Sequence, residues 1–156
     1  MKVYNNFLTK KEFTKLKEFL LGIHMPWYFN NGVVDTDDNY FQFTFIFFKD
    51  GQINCDKSYF DMVEPILKKL KFKKLNKIKA NLLTKDIKTT EHGMHVDQSE
   101  GKTGIFYVNT CNGYTKFENN KIVKSKENTY VEFNSSIKHT GSSCTDKKRR
   151  VVINFN

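Results

Sequence analysis

The sequence predicts an α+β fold, mainly β, in which two N-terminal helices support an antiparallel sheet sandwich. Three observations point there. Apolar residues at helical spacing are confined to the part of the chain before about residue 70. From about residue 77 onward, short β-rich stretches alternate with turn signals such as Asn119-Asn120 and Asn134-Ser135-Ser136. Helices followed by a run of strands, rather than alternating with them, imply an antiparallel sheet. A chain of 156 residues, 15 of them Phe, suffices for one aromatic core and one domain spanning 1–156.

Each element has its own signal. Thr9-Lys10-Lys11-Glu12 is a capping box, and Phe13, Leu16, Phe19 and Leu20 follow at helical spacing, so a helix covers about 10–21 and ends at Gly22. Pro26-Trp27-Tyr28-Phe29 opens an extended region. The aromatic alternation over 40–48 is a strand with Phe41, Phe43, Phe45 and Phe47 on one face, and Asp50-Gly51 turns the chain. Ser58-Tyr59-Phe60-Asp61 caps a second helix with Phe60, Val63, Leu67 and Leu70 inward. Strands are expected over 77–83, 93–97, 103–109, 114–117, 121–124, 128–133 and 149–155. The chain shows no internal repeat or linker.

Composition narrows the function classes. There is no 18-residue apolar run for a membrane span, and the N-terminus lacks the apolar core of a signal peptide. Cys55, Cys111 and Cys144 are widely spaced and form no C-x-x-C pair, which fits a reducing, cytoplasmic compartment. The net charge is +9, and seven lysines fall between Lys68 and Lys79. That run is either an anion-binding patch, for nucleic acid, or a solvated helix end followed by a Lys-protected edge strand. The second reading is favoured, because only 2 of the 26 basic residues are Arg and nucleic-acid recognition relies on Arg forks.

The residues that carry chemistry are His95-Val96-Asp97 and the distant His139. On a strand, alternate side chains point the same way, so His95 and Asp97 can reach one ion from one element. Two imidazoles and one carboxylate leave open positions on a metal, the arrangement that suits a non-haem Fe(II) oxygenase. An H-x-D pair alone is weak, since 4 His and 9 Asp in 156 residues give roughly 0.2 such pairs by chance. The late pair Arg149-Arg150, opening the final apolar run, makes the set far more specific. The bland alternative is exposed histidines, a surface Asp and a basic turn.

Taken together, these segments resemble the Fe(II)- and 2-oxoglutarate-dependent oxygenases, in particular the prolyl-hydroxylase-like branch. The match rests on Gly93 to Asp97, on Ile105-Phe106-Tyr107-Val108-Asn109, on Asn112 to Phe117, on Phe133 through His139, and on Arg150 to Phe155. It covers about 78–156; residues 1–77 resemble only loosely the helical support of such proteins. The Asn- and Lys-rich composition is similar to small stand-alone viral and marine microbial members, which would place the protein in a host-cell cytoplasm. The resemblance implies a double-stranded β-helix, that is, a jelly-roll barrel. It implies Fe(II) on His95, Asp97 and His139, with 2-oxoglutarate as co-substrate and O2 as oxidant. Arg150 is then the candidate for the distal carboxylate of 2-oxoglutarate. Arg150 is preferred to Arg149 because its strand face brings Asn154 as polar company, and the other Arg becomes a solvated charge. Tyr107, Asn81 and Asn154 are further 2-oxoglutarate candidates, and Thr115 could line the pocket. For Tyr107 the alternative is simple ring packing. His92, three residues before His95, should face away from the metal, and His24 is not expected to bind it. Trp27-Tyr28 is either a substrate lid or core packing. No catalytic thiol is expected.

The implied activity is hydroxylation of a peptide, protein or amino acid with release of succinate and CO2. Two alternatives remain at this point: an oxygenase or demethylase of nucleic-acid bases, and a metal-binding jelly roll without redox turnover.

Overall fold

The computed structural model describes residues 1–35, 38–70 and 74–156. In chain order the elements are β1 (Lys2–Asn5), α1 (Lys10–Leu21), β2 (Tyr28–Asn30), β3 (Gln42–Lys49), β4 (Gln52–Ile53), α2 (Lys57–Phe60) and α3 (Glu64–Leu67). They continue as β5 (Lys77–Thr84), β6 (Lys102–Tyr107), β7 (Tyr114–Phe117), β8 (Ile122–Lys124), β9 (Thr129–Asn134), β10 (His139–Gly141) and β11 (Arg149–Phe155). The larger sheet runs β1-β9-β6-β11-β5-β3-β2 with β4 on β3, and the smaller runs β10-β7-β8. Every strand pair is antiparallel. The two sheets are the walls of a double-stranded β-helix.

Strand alternation gives the large sheet two different faces. On β11, Val151, Ile153 and Phe155 join Ile78, Ala80 and Leu82 of β5 in a core shared with Phe13, Leu16 and Leu20 of α1. The opposite residues point into the barrel. There, Ile105, Tyr107, Phe117, Val131, Phe133 and Val152 close one end as a second apolar cluster. Each fully buried large side chain contributes about 1.5–3 kcal/mol, so the outer core holds the sheet rigid while the inner face is free to carry polar groups.

The helices follow local chemistry. Thr9 caps α1 with the complete capping box, its side chain accepting from the Glu12 backbone while Glu12 answers the Thr9 amide. The expected second helix is two short turns instead. Pro65 in the first turn of α3 has no N–H to continue a helix from α2. The cap is Asp56, which accepts from the Ser58 amide at 2.8 Å, rather than Ser58 itself. Val63 and Ile66 are fully buried, and Phe60, Leu67 and Leu70 pack beside them. On β3 the aromatic face is interrupted by a register shift between Ile46 and Phe48, and Phe41 precedes the strand and is exposed. Residues 1–77 are thus more than helical support, since four strands come from them. No helix among the described residues is long and apolar enough to cross a membrane.

Candidate metal centre

Residues 93–97 do not form the expected strand. His95 makes a single antiparallel bridge to His139, with amide-to-carbonyl bonds of 3.0 and 2.9 Å in the two directions, and Asp97 lies in the bend beyond. This bridge extends the small sheet by one residue and sets the two imidazoles side by side, ring centroids 4.7 Å apart. Asp97 reaches both, Oδ1 lying 3.9 Å from His95 Nε2 and Oδ2 lying 3.6 Å from His139 Nε2. One ligand atom from each of the three lies within 4.8 Å of the others.

The ring orientation suits a metal. His95 Nδ1 is 3.1 Å from the Gly93 carbonyl, and His139 Nδ1 is 3.1 Å from the Ile137 carbonyl. A carbonyl only accepts, so each Nδ1 carries the proton and each Nε2 presents a lone pair to the shared centre. Burial holds the His139 pKa below the usual imidazole range, against the raising effect of Asp97, which keeps the ring neutral as ligation requires. Two imidazole nitrogens and one carboxylate on one side of a centre fit Fe(II).

Thr103 and Ser135 were not singled out from the sequence. The Thr103 hydroxyl, fully buried, donates to Asp97 Oδ2 at 2.8 Å and lies 3.2 Å from Ser135 Oγ. Their separation of 32 residues leaves no local signal. Thr103→Val keeps the shape and removes the proton that orients the carboxylate. Metal affinity is expected to fall about 10–100-fold, read by titrating the metal into both proteins.

The three side chains open on a cavity of about 270 Å³ whose lining includes Asn81, Thr115, Arg150, Val152 and Asn154. A larger open groove, of about 820 Å³, lies along Met1, Lys2 and the 98–102 loop and contains none of the three. Arg150 is the inward arginine, 4% exposed. Its Nε donates to Ser125 Oγ at 2.8 Å and its Nη2 to Thr115 Oγ1 at 3.3 Å, with the guanidinium 5.7 Å from the Tyr107 ring centre. No carboxylate among the described residues pairs with it, and burial pushes its pKa down. Arg149 is not a solvated charge: it donates to the Leu21 carbonyl at the end of α1. Tyr107 is fully buried, and its hydroxyl donates to Thr115 Oγ1 at 2.8 Å, so it meets the cavity through Thr115. Thr115 accepts from both Tyr107 and Arg150, which leaves its own proton to donate inward. Asn81 and Asn154 line the cavity with Oδ1 atoms that have no partner.

Glycine makes the room for Arg150. A Cβ on Gly113 would lie 2.7 Å from Arg150 Cδ and 2.8 Å from the Ser143 carbonyl. Gly113→Ala is therefore expected to displace the guanidinium, lowering stability by about 1–3 kcal/mol and weakening anion binding in the cavity; a thermal melt and a ligand titration check both.

Several expectations change. His92 does not face away; it lines the same cavity, 9% exposed, with both ring nitrogens unpartnered and its ring edge-on to Tyr40 at 5.0 Å. It is outside the ligand group. Trp27 packs on the outer core, and Tyr28 lies on a separate depression with Pro26, so neither is placed as a lid. The described lysines of the run do not share one face. Lys68 pairs with Glu64, Lys69 bonds the Phe7 carbonyl, Lys77 and Lys79 line the cavity, and Lys71 and Lys73 lie outside the described residues. Cys55, Cys111 and Cys144 are free thiols.

Comparison with solved structures decides the architecture. A prolyl hydroxylase from Trichoplax adhaerens, in complex with a hypoxia inducible factor oxygen degradation domain peptide fragment, superposes with a TM-score of 0.69 at 16% identity, covering 99% of this chain and 81% of that one. The chain has the fold of the prolyl hydroxylases. A prolyl-4-hydroxylase from Pseudomonas putida gives 0.64 at 10% identity, covering 99% and 90%. The viral collagen prolyl hydroxylase of Paramecium Bursaria Chlorella virus-1 gives 0.58 at 12%, covering 99% and 86%. No protein-family model matches the chain, and no curated protein matches it. The prolyl-hydroxylase fold thus extends over residues 1–77 as well, where the sequence resemblance was loose.

Proposed function

We propose that the chain is a single-domain Fe(II)- and 2-oxoglutarate-dependent dioxygenase that hydroxylates a peptide, protein or amino acid. The observation that carries this is a buried guanidinium, Arg150, with no carboxylate partner among the described residues, on the wall of the same cavity as the His95, Asp97 and His139 donors. A buried cation is costly unless an anion answers it. A dicarboxylate that reaches from a metal to Arg150 supplies that anion.

His95 Nε2, His139 Nε2 and Asp97 would hold the Fe(II). Bound there, Fe(II) supplies the activation of O2 that couples decarboxylation of 2-oxoglutarate, to succinate and CO2, with oxidation of the substrate. Arg150 holds the far carboxylate as a charged fork, and the spare Thr115 proton donates to the same group. Asn81 and Asn154 offer polar contacts along the cavity. Val152 and Ile105 line its wall and limit water. A volume of about 270 Å³ is at the lower end for a ligand pocket, so it takes the keto acid and one protruding side chain while the rest of a substrate stays outside. The prolyl hydroxylases of the same fold, one of them holding a peptide, support a peptide or protein substrate. A base-oxidising function has less support, since the described lysines of the run do not assemble into one surface.

The test is anaerobic titration of the Fe(II)-loaded protein with 2-oxoglutarate. A visible charge-transfer band is expected in the wild type and a weakened one in Arg150→Ala. Bound iron with no band would leave a metal-binding jelly roll without this chemistry.

A further inference from the structure

We propose that the substrate side chain entering the cavity is acidic, and that its carboxylate is held by Lys79 on the cavity wall. This rests on the oxygenase reading and deepens it. On β5 the residues facing the cavity are Lys77, Lys79, Asn81 and Leu83, which alternate with the core residues Ile78, Ala80 and Leu82. The β5–β11 register sets Leu83 beside Arg150 and Lys79 beside Asn154. The two cationic positions therefore lie four residues apart along the same wall. At about 3.3 Å per residue the two backbone positions are roughly 13 Å apart, so Lys79 is set along the wall from the Arg150 end of the cavity.

Among the described residues Lys79 has no ion-pair partner. No carboxylate among the described residues lies within ion-pair distance of it, and Asp97 acts on it only from further away. Burial and the neighbouring Lys77 ammonium both push its pKa down. Asn156 accepts from the amides of Asn76 and Lys77 with its backbone oxygen, at 2.7 and 2.6 Å. The half-buried Asn154 beside Lys79 has a buried Oδ1 with no hydrogen-bond partner among the described residues. Lysine most often keeps its ammonium in water; here it lines a cavity with no partner among the described residues.

The charge count agrees. With a divalent ion and the 2-oxoglutarate dianion seated, the ion, Arg150, Lys77 and Lys79 carry five positive charges against three negative ones from Asp97 and the dianion. A neutral side chain such as proline would leave that excess unanswered. A carboxylate, with the Asn154 amide as its neutral neighbour, reduces it.

The probes are the blocked tripeptides Ac-Ala-Asp-Ala-NH2 and Ac-Ala-Glu-Ala-NH2 and their Asn and Gln counterparts. Each is titrated calorimetrically into protein holding Mn(II), as a redox-silent metal, and 2-oxoglutarate. Wild type is expected to bind an acidic probe about tenfold more tightly than its amide counterpart. Lys79→Met should lose that preference and Lys79→Arg should keep it, while 2-oxoglutarate affinity stays within about twofold in both. Equal or absent binding of the acidic and amide probes by the wild type overturns the proposal. So does a fall in 2-oxoglutarate affinity in Lys79→Met, which would give Lys79 to the keto acid. Either result leaves the oxygenase reading standing. Wild-type protein that binds no 2-oxoglutarate overturns both.

Discussion

Asp97→Ala is expected to leave a folded protein that no longer supports iron-dependent turnover. Asp97 supplies the single carboxylate of the donor set, and its loss should weaken Fe(II) binding beyond the ~10–100-fold that loss of a supporting residue costs. The fold should survive because neither apolar cluster includes Asp97. In the variant the Thr103 hydroxyl loses its acceptor but keeps Ser135 Oγ at 3.2 Å, so the stability cost is about 1 kcal/mol. Anaerobic iron titration and a circular-dichroism melt separate the two effects. A variant that still binds iron and turns over would remove Asp97 from the ligand set.

Arg150→Ala is expected to raise the 2-oxoglutarate requirement sharply. Truncating one partner of a desolvated, hydrogen-bonded charge pair costs about 2–5 kcal/mol, or roughly 30-fold and upward in affinity. Arg149→Ala should change that affinity by no more than about twofold, because its guanidinium holds the Leu21 carbonyl at the end of α1 instead. Its cost should appear as about 1–2 kcal/mol of stability. Calorimetric titration of each variant with Mn(II) and 2-oxoglutarate, beside a thermal melt, reads both quantities. The reverse ranking would mean that Arg150 is a structural cation and that the keto acid lies elsewhere.

Strong periodic signals were readable from the sequence. The capping box at Thr9 and the apolar spacing behind it placed α1, and alternation placed β5, β7 and β11 to within a residue or so. The departures have separate physical causes. β1 and β4 are short and exposed along their whole length, so no alternation marks them, whereas the extended region opening at Pro26 contains β2. The second helix divides because Pro65, which lacks an N–H, starts α3 anew despite the continuous apolar spacing. His92 was misplaced by extrapolating strand parity across 93–97, where the backbone bends and only His95 is bridged.

By itself the sequence determined α1, the strands β5 to β9 and β11, and the candidate set His95, Asp97, His139 and Arg150. These depend on local periodicity and residue chemistry, which a chain carries along its length. Only the tertiary structure decided that His95 and His139 are neighbours, that Thr103 orients Asp97, that Arg149 ties down α1, and that His92 and Lys79 face the cavity. Each of these is a relation between backbone segments brought together from distant parts of the chain, or between side chains across a barrel. Nothing in the spacing of residues specifies such a contact until the two sheets close on one another.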